Sequence, residues 1–453
     1  MAQAAWVSAE LPSPRTSAPR ISVQLLQTQY ATDASLETQS NTYQYVMPRL
    51  YAKAPLANIF QWKVDFNGVL PVSEAGESHY FFPDLYAGLD DQKRGLALYF
   101  GRKRQTWSEL DNDLHLGLWE PLFRWDHARP VAMGLTGFHF ESRQRIFQIK
   151  AMLSPFYLPD QQPDFEIVDG EIVSGNRWFR RPIHSLEIGN SPSEVRYKVN
   201  EPEVKDVVMN ESYALMGRIG KKTGPFFRAS WAKKPMNQFH LGIDLEDSFR
   251  VDLDTFEAEV NPIIVNHELL TVEAGYNTEA VRGYISFTQE RFEDPNLPTR
   301  WEETDLNDSN YLGLGLKHRA PNPFVRNSAL TWSYAKREKK NEDRNTRIDG
   351  ELDASTSRFP FESWLSLKWD FKKAFKLFRK SRQWQNSITY SYSAKDDGDW
   401  IALNSTVNMT RDFQIYVSAD MFGAGKNVSQ DDRSFISIYR NNDRVQGGFV
   451  YAF

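Results

Sequence analysis

The sequence predicts an all-β chain, a transmembrane antiparallel up-and-down β-barrel of about 18 strands, with 16 and 20 as the neighbouring counts. Three observations predict it. Apolar and polar residues alternate in segments along the whole chain, which is the period of a strand with two unlike faces. Aromatics make up 14% of the 453 residues while the mean hydropathy is −0.56. That combination suits a barrel in which only every second residue meets lipid and aromatic girdles mark the interfaces. No stretch approaches the ~20 apolar residues of a membrane-spanning helix, so a helical membrane protein is excluded. A soluble sandwich or propeller would alternate as well, but here aromatics crowd one face and charges the other on nearly every segment.

The segments follow in chain order. In NIFQWKVDFNGVL, Phe60, Trp62, Val64 and Phe66 alternate with Gln61, Lys63, Asp65 and Asn67. QFHLGIDLE sets Phe239, Leu241, Ile243 and Leu245 against His240, Asp244 and Glu246. AVRGYISFTQE sets Val281, Ile285 and Phe287 against Arg282, Ser286 and Thr288. Ile388, Tyr390 and Tyr392, then Ile401, Leu403 and Val407, then Phe413, Ile415 and Val417 continue the pattern against Ser, Thr, Asn, Gln and Asp. The final run places Val445, Gly447, Phe449, Tyr451 and Phe453 on one face and Arg444, Gln446, Gly448, Val450 and Ala452 on the other. Short turns are expected at TRD (410–412) and RNNDR (440–444). The connections do not sort by sequence into a short set and a long set.

Two insertions interrupt the hairpins. The first, about 107–130, mixes Glu109, Asp111, Asp113 and Asp126 with His115, Arg124, His127 and Arg129, beside Trp119 and Trp125. It reads either as a loop folded into the lumen, where opposed charges set a field across the pore, or as an outer loop with ordinary surface charge. The second, about 154–203, is rich in Pro and contains NRWFRRPIH, in which Arg177, Arg180, Arg181 and His184 surround Trp178 and Phe179. Arginine forks beside aromatic faces suit carboxylate, phosphate or sugar ligands, so this segment is a candidate lid or plug. Its arginines would otherwise meet headgroup phosphates or internal carboxylates. FKKAFKLFRKSRQW (371–384) has aromatics at helical spacing amid Lys and Arg, and reads as a short interfacial helix or a basic loop.

Composition removes several functions. Cysteine is absent, which excludes thiol chemistry and thiolate metal sites. A net charge of −5 argues against nucleic acid as a partner. No G-x-S-x-G, H-E-x-x-H or P-loop occurs, and the eight histidines are scattered. The expectation is a protein that is not an enzyme, without cofactor or metal.

The terminal octapeptide QGGFVYAF resembles the last strand of Gram-negative outer-membrane β-barrels. In that superfamily a polar residue, a glycine and alternating hydrophobic residues end in a C-terminal Phe. Gln446, Gly448, Tyr451 and Phe453 fit the pattern, and the resemblance implies an assembly signal read by the barrel-assembly machinery. Gly101-Arg102, Trp107, Leu116-Gly117 and Gly134-Leu135 are similar to the Gly-Arg strand, inward loop and G-L-x-G strand of alginate-export-type wide porins. No substrate follows from that likeness.

The resemblance implies a bacterial outer-membrane protein in contact with lipid and lipopolysaccharide, with periplasmic or envelope-complex proteins as further partners. Residues 1–19 are then an N-terminal periplasmic segment and 20–453 one barrel. Ala2-Gln3-Ala4-Ala5 is either the end of a signal peptide or a simple Ala-rich start. The expected function is a channel for polar or anionic solutes, or for a secreted polymer such as polysaccharide. Its pore-lining or constricting residues would be Lys63, Asp65, Arg102, Asp111, Asp113, Arg124, His240, Asp244, Glu246 and Arg282, with Arg177, Trp178, Arg180 and Arg181 in the plug. The alternative is a plugged, non-conducting barrel that anchors an envelope complex.

Overall fold

The structure, a computed structural model, describes residues 19–453 except 35, 56–58, 74–75, 180–181, 183–184, 189–190, 245–254, 294–300, 304–307, 320–326, 340–361, 378–379, 395–396 and 425–434. One sheet has 18 strands. They are β1 (Arg20–Tyr30), β2 (Thr42–Pro55), β3 (Phe60–Pro71), β4 (His79–Asp91), β5 (Leu96–Lys103), β6 (Leu135–Arg143), β7 (Phe147–Ser154), β8 (Ser212–Gly220) and β9 (Gly224–Pro235). The second half comprises β10 (Asn266–Asn277), β11 (Val281–Phe292), β12 (Ser309–Arg319), β13 (Asn327–Lys339), β14 (Ser363–Leu377), β15 (Lys380–Ser393), β16 (Gly398–Asn408), β17 (Phe413–Ala424) and β18 (Arg444–Ala452). Each pairs antiparallel with the next, and β18 returns to β1 with Tyr451 opposite Val23, which closes the barrel.

Alternation decides the side each residue takes. Outward rows carry Leu98 and Phe100, Ile285 and Phe287, Leu367 and Trp369, Ile415 and Val417, all exposed. Inward rows carry Thr271 and Glu273, Ser286 and Thr288, Ser418 and Asp420, all buried. An apolar belt around a closed barrel has no aqueous solvent that suits it; lipid does.

The connections do sort once the strands are placed. At the end where β1 starts and β18 stops, the strand order makes the connections 56–59, 92–95, 144–146, 221–223, 278–280, 320–326, 378–379 and 409–412. All the long ones, 31–41, 104–134, 155–211, 236–265, 293–308, 340–362 and 425–443, lie at the other end. RNNDR therefore closes a long connection that follows the helical turn Phe435–Tyr439, and only TRD is a hairpin turn. The basic segment is no helix. It is the tip of the β14–β15 hairpin, paired down to Leu377 opposite Lys380, at the short-turn end. Spacings of four, such as Phe371 to Phe375, are shared by both periods, which is why the helical reading was available.

QFHLGIDLE is likewise not a barrel strand. His240–Asp244 belongs to a separate five-stranded sheet with Ser185–Ile188, Ser191–Val199, Thr255–Ile263 and Trp301–Glu303, built from the long connections 155–211, 236–265 and 293–308. Period two marks any half-buried strand, in lipid or out of it. The second insertion thus runs from 155 to 211 and contains strands of its own.

The closing seam explains the glycine of the terminal pattern. A Cβ on Gly448 would lie 1.9 Å from the Leu25 carbonyl oxygen and 2.7 Å from the Tyr416 hydroxyl. Tyr416 lies across that gap, donates to the Leu25 carbonyl at 2.8 Å and accepts from the Gln24 amide at 2.8 Å. Three strands are stitched at the point where the barrel shuts.

Candidate functional site

The 104–134 connection fills the lumen. Its root is a charge network on β2, β3 and β4. Asp65 and Asp84 stand directly opposite each other, a like-charge pair that would repel unless neutralised. Arg49 takes Asp65 with Nε at 2.9 Å and Nη2 at 3.0 Å. Lys63 reaches Asp84 at 2.6 Å. Arg104, the first residue of the insertion, grips Asp84 with Nε at 2.8 Å and Nη2 at 2.7 Å, and Asp65 at 3.3 Å. Lys63 and Asp65 thus belong to the charge network that fastens the foot of the insertion.

Beyond the root the chain turns into the helix Glu109–Leu114, capped by Ser108. A helix start leaves backbone N–H groups without intrahelical acceptors. Here a carboxylate of the wall supplies one. Glu273 on β10 accepts from Glu109 N–H at 2.7 Å, Leu110 N–H at 3.4 Å, and the Ser108 and Ser286 hydroxyls at 2.9 and 3.0 Å. Arg228 on β9 bridges Glu273 at 3.0 Å and Glu109 at 2.8 Å, and Arg282 on β11 also pairs with Glu109. Tyr284 donates to Asp113 at 2.9 Å, and the Trp119 indole to Thr271 at 3.2 Å. Leu110 fills a notch at Gly313 of β12, where a Cβ would come within 2.3 Å of it.

The insertion then crosses to the wall on the far side. Arg129 meets Asp420 of β17 at 2.9 Å and Ser418 at 2.8 Å, and also donates to Gln446. Asp126 accepts from Arg444 of β18 at 2.8 Å, and Arg444 Nε reaches Asp420 at 2.8 Å. Two apolar clusters pack between these ionic anchors. One holds Trp107, Leu110, Leu118 and Trp119 against Leu269, Tyr284 and Tyr311; the other holds Phe123, Trp125 and Met133 against Tyr45, Met47 and Phe81.

Burial mutes much of the charge that the sequence places on this segment. It pushes the Glu120 carboxyl up to about 8, although the Gln105 N–H donates to it, and the Asp111 carboxyl up to about 6. It lowers His115 to about 4 and His127 to about 3, so both rings are neutral at pH 7. Asp111 serves the fold of the segment by accepting from the Leu118 and Trp119 N–H groups at 3.0 and 3.2 Å. Arg124 turns to the second insertion, where Asp160 takes it at 2.9 Å.

Other sequence candidates lie elsewhere. Arg102 shares the outward row of β5 with Leu98 and Phe100 and sits across from Leu85; its guanidinium donates to the Gly134 carbonyl at 3.0 Å. It does not face the lumen. His240 and Asp244 are buried in the five-stranded sheet, and Glu246 lies outside the described residues. Arg177 is a staple among connections: it donates to Thr32 O at 2.9 Å, Asn41 Oδ1 at 3.0 Å and Asn441 O at 2.8 Å, and lies over the Tyr30 ring at 4.3 Å. Trp178 is buried under the Arg444 guanidinium at 4.8 Å and against Tyr439. Arg180 and Arg181 lie outside the described residues.

At the long-loop rim, Glu77, His79 and Asp164 bring metal-ligand atoms within 4.8 Å of one another. Glu77 already accepts from the Ser174 hydroxyl at 2.8 Å and the Asp164 N–H at 3.2 Å. The trio works as a hydrogen-bonded clasp between β4 and the second insertion. The anchors that matter most, Glu273, Arg228, Asp420 and Asp160, escaped sequence reading. Glu273 was visible only as an acid on the polar row of a strand.

No family model matches the chain, and no curated protein matches it. Solved structures similar to it include Wzi of Escherichia coli, described as a carbohydrate-binding β-barrel involved in group 1 capsule assembly. That match has 11% identity and a TM-score of 0.45 over 99% of this chain and 86% of the other. OmpT of Vibrio cholerae, an outer-membrane protein, is 7% identical with a TM-score of 0.41 over 96% and 99%. The anion-selective porin of Comamonas acidovorans is 10% identical with a TM-score of 0.39 over 96% and 98%.

Proposed function

We propose that this bacterial outer-membrane β-barrel is a gated passage for polar or anionic solutes, with residues 107–130 as the gate. In such barrels short turns face the periplasm and long connections the exterior, which would put the start of β1, the end of β18 and the basic β14–β15 hairpin on the periplasmic side. The observation that carries the reading is the way the segment is held. It spans a lumen that is wide enough for water in an 18-stranded barrel, and it is pinned to opposite walls by separable ion pairs, Glu109 with Arg228 and Arg282 on one side and Arg129 with Asp420 on the other.

Lys103 and Leu135 are directly paired at the ends of β5 and β6, so a short turn can replace the insertion without moving the barrel. Deleting 107–130 is expected to produce a steady conductance in planar bilayers, where the intact protein stays closed or opens only in brief bursts. A deleted barrel that is heat-modifiable on gels yet silent would refute the passage and leave the non-conducting anchor. That second reading is favoured by the two apolar clusters, which make the plug resemble a core.

Assembly depends on the last strand in this proposal. Phe453 ends the outward row of the seam, 75% exposed on the face read as meeting lipid, so Phe453→Ser should cost refolded protein at most the transfer of one aromatic side chain, ~1.5 to 3 kcal/mol. It is expected to lower the amount recovered in outer membranes severalfold in cells. Equal recovery of mutant and wild type defeats the assembly-signal reading.

A further inference from the structure

The inner wall at β7, β8 and β9 carries three neighbouring cations, Lys150, Arg218 and Arg228, of which only Arg228 has an ion-pair partner among the described residues. Arg218 stands directly opposite Arg228, at a cross-strand separation of roughly 5 Å where like charges destabilise a sheet. Lys150, opposite Met216, is the diagonal neighbour of Arg218 on the same face. Arg228 gives one terminal nitrogen to Glu273 and the other to Glu109. Its Nε, on a residue only 5% exposed, has no hydrogen-bond partner.

Arg218 donates to the carbonyls of Gly220 and Lys221 at 3.2 Å each, in its own turn, and lies over the Phe226 ring at 4.8 Å. Lys150 Nζ is 3.5 Å from the Thr106 carbonyl. The carboxylate across from it, Glu141, is engaged by Lys103 and approached by Arg143 at 3.8 Å. Among the described residues no carboxylate comes within ion-pair distance of Arg218 or Lys150.

We infer that Lys150, Arg218 and Arg228 form an oxyanion subsite for the carboxylate or phosphate group of a solute. An ammonium beside guanidinium donors suits that chemistry. The Phe226 ring holds the Arg218 guanidinium flat against the wall. The site lies toward the short-turn end of the barrel, since Lys150 follows the 144–146 turn and Arg218 and Arg228 flank the 221–223 turn. This rests on the passage reading for its role, since it names the solute class met below the gate, but binding itself does not need the gate to open.

The test is calorimetric titration of the full-length protein in detergent with inorganic phosphate and, separately, with acetate, at ionic strength held constant with chloride. Saturable binding of at least one is expected, and the preferred anion tells phosphate from carboxylate. Arg218→Gln and Lys150→Gln should each weaken it at least tenfold, and Arg218→Lys should retain part of it. Heat-modifiable migration of each variant reports an intact barrel, and Lys317→Gln on a different wall should leave binding unchanged. Wild-type protein that binds neither anion, or folded Arg218→Gln that binds as tightly as wild type, overturns the subsite. Conductance of the 107–130 deletion is read independently, so a silent barrel that still binds phosphate would reject the passage and keep the subsite.

Discussion

Glu273→Ala is expected to detach the helix Glu109–Leu114 from the barrel wall and lower stability by about 3 to 5 kcal/mol, the range for a buried ion pair broken on one side. The loss has several parts. Arg228 is left with Glu109 alone, the Ser108 and Ser286 hydroxyls lose their acceptor, and the Glu109 and Leu110 N–H groups at the helix start are stranded. Glu273→Gln should cost less, since its amide oxygen can still accept from the helix N–H groups. Denaturant unfolding in detergent micelles measures both, and bilayer recordings should show openings more frequent than in wild type. An alanine variant with an unchanged midpoint and unchanged conductance would mean that the carboxylate does not hold the segment.

Asp420→Ala is expected to have an effect of similar size at the opposite wall. It removes the carboxylate that Arg129 and Arg444 share, leaving the nearly buried Arg444 to Asp126 and the nearly buried Arg129 to the neutral Ser418 and Gln446. Asp420→Asn should recover a part through its amide oxygen. The two anchors lie on strands separated by β11 to β16 and have no shared partner, so the double variant should lose the sum of the single losses. It should also conduct most like the deletion, because each anchor alone still tethers the segment. A double variant no less stable than either single one would place the two sites in one network.

The strands that alternate in lipid were legible residue by residue. Phe60 to Asn67, Val281 to Thr288, Ile388 to Tyr392, Ile401 to Asn408 and the final strand all lie in the sheet, with their apolar members outward. Two classes of segment were misread for one reason each. His240–Asp244 alternates as a membrane strand does because a half-buried strand in water has the same period. Phe371 and Phe375 satisfied a helix because a spacing of four is even, and so fits a strand face too. Of the site, Lys63, Asp65 and Arg282 could be set on the polar row of their strands by period alone, and 107–130 could be read as an insertion between strands. Their partners were not found. Glu273 is more than 160 positions from Glu109, and Asp420 nearly 300 from Arg129.

By itself the sequence determined the architecture and its setting: alternation without a long apolar run leaves only strands to cross a bilayer, and strands in a bilayer must close on themselves because lipid offers no partner for an unpaired edge. Tertiary structure alone decided that the lumen is filled, that its segment is clamped by Glu273 and Asp420, and that Arg218 faces Arg228 with no acid between them. Side-chain direction is a local property with a period of two. Which ions meet across the lumen depends on strand register and on where a long connection folds, and neither is written in any neighbouring residue.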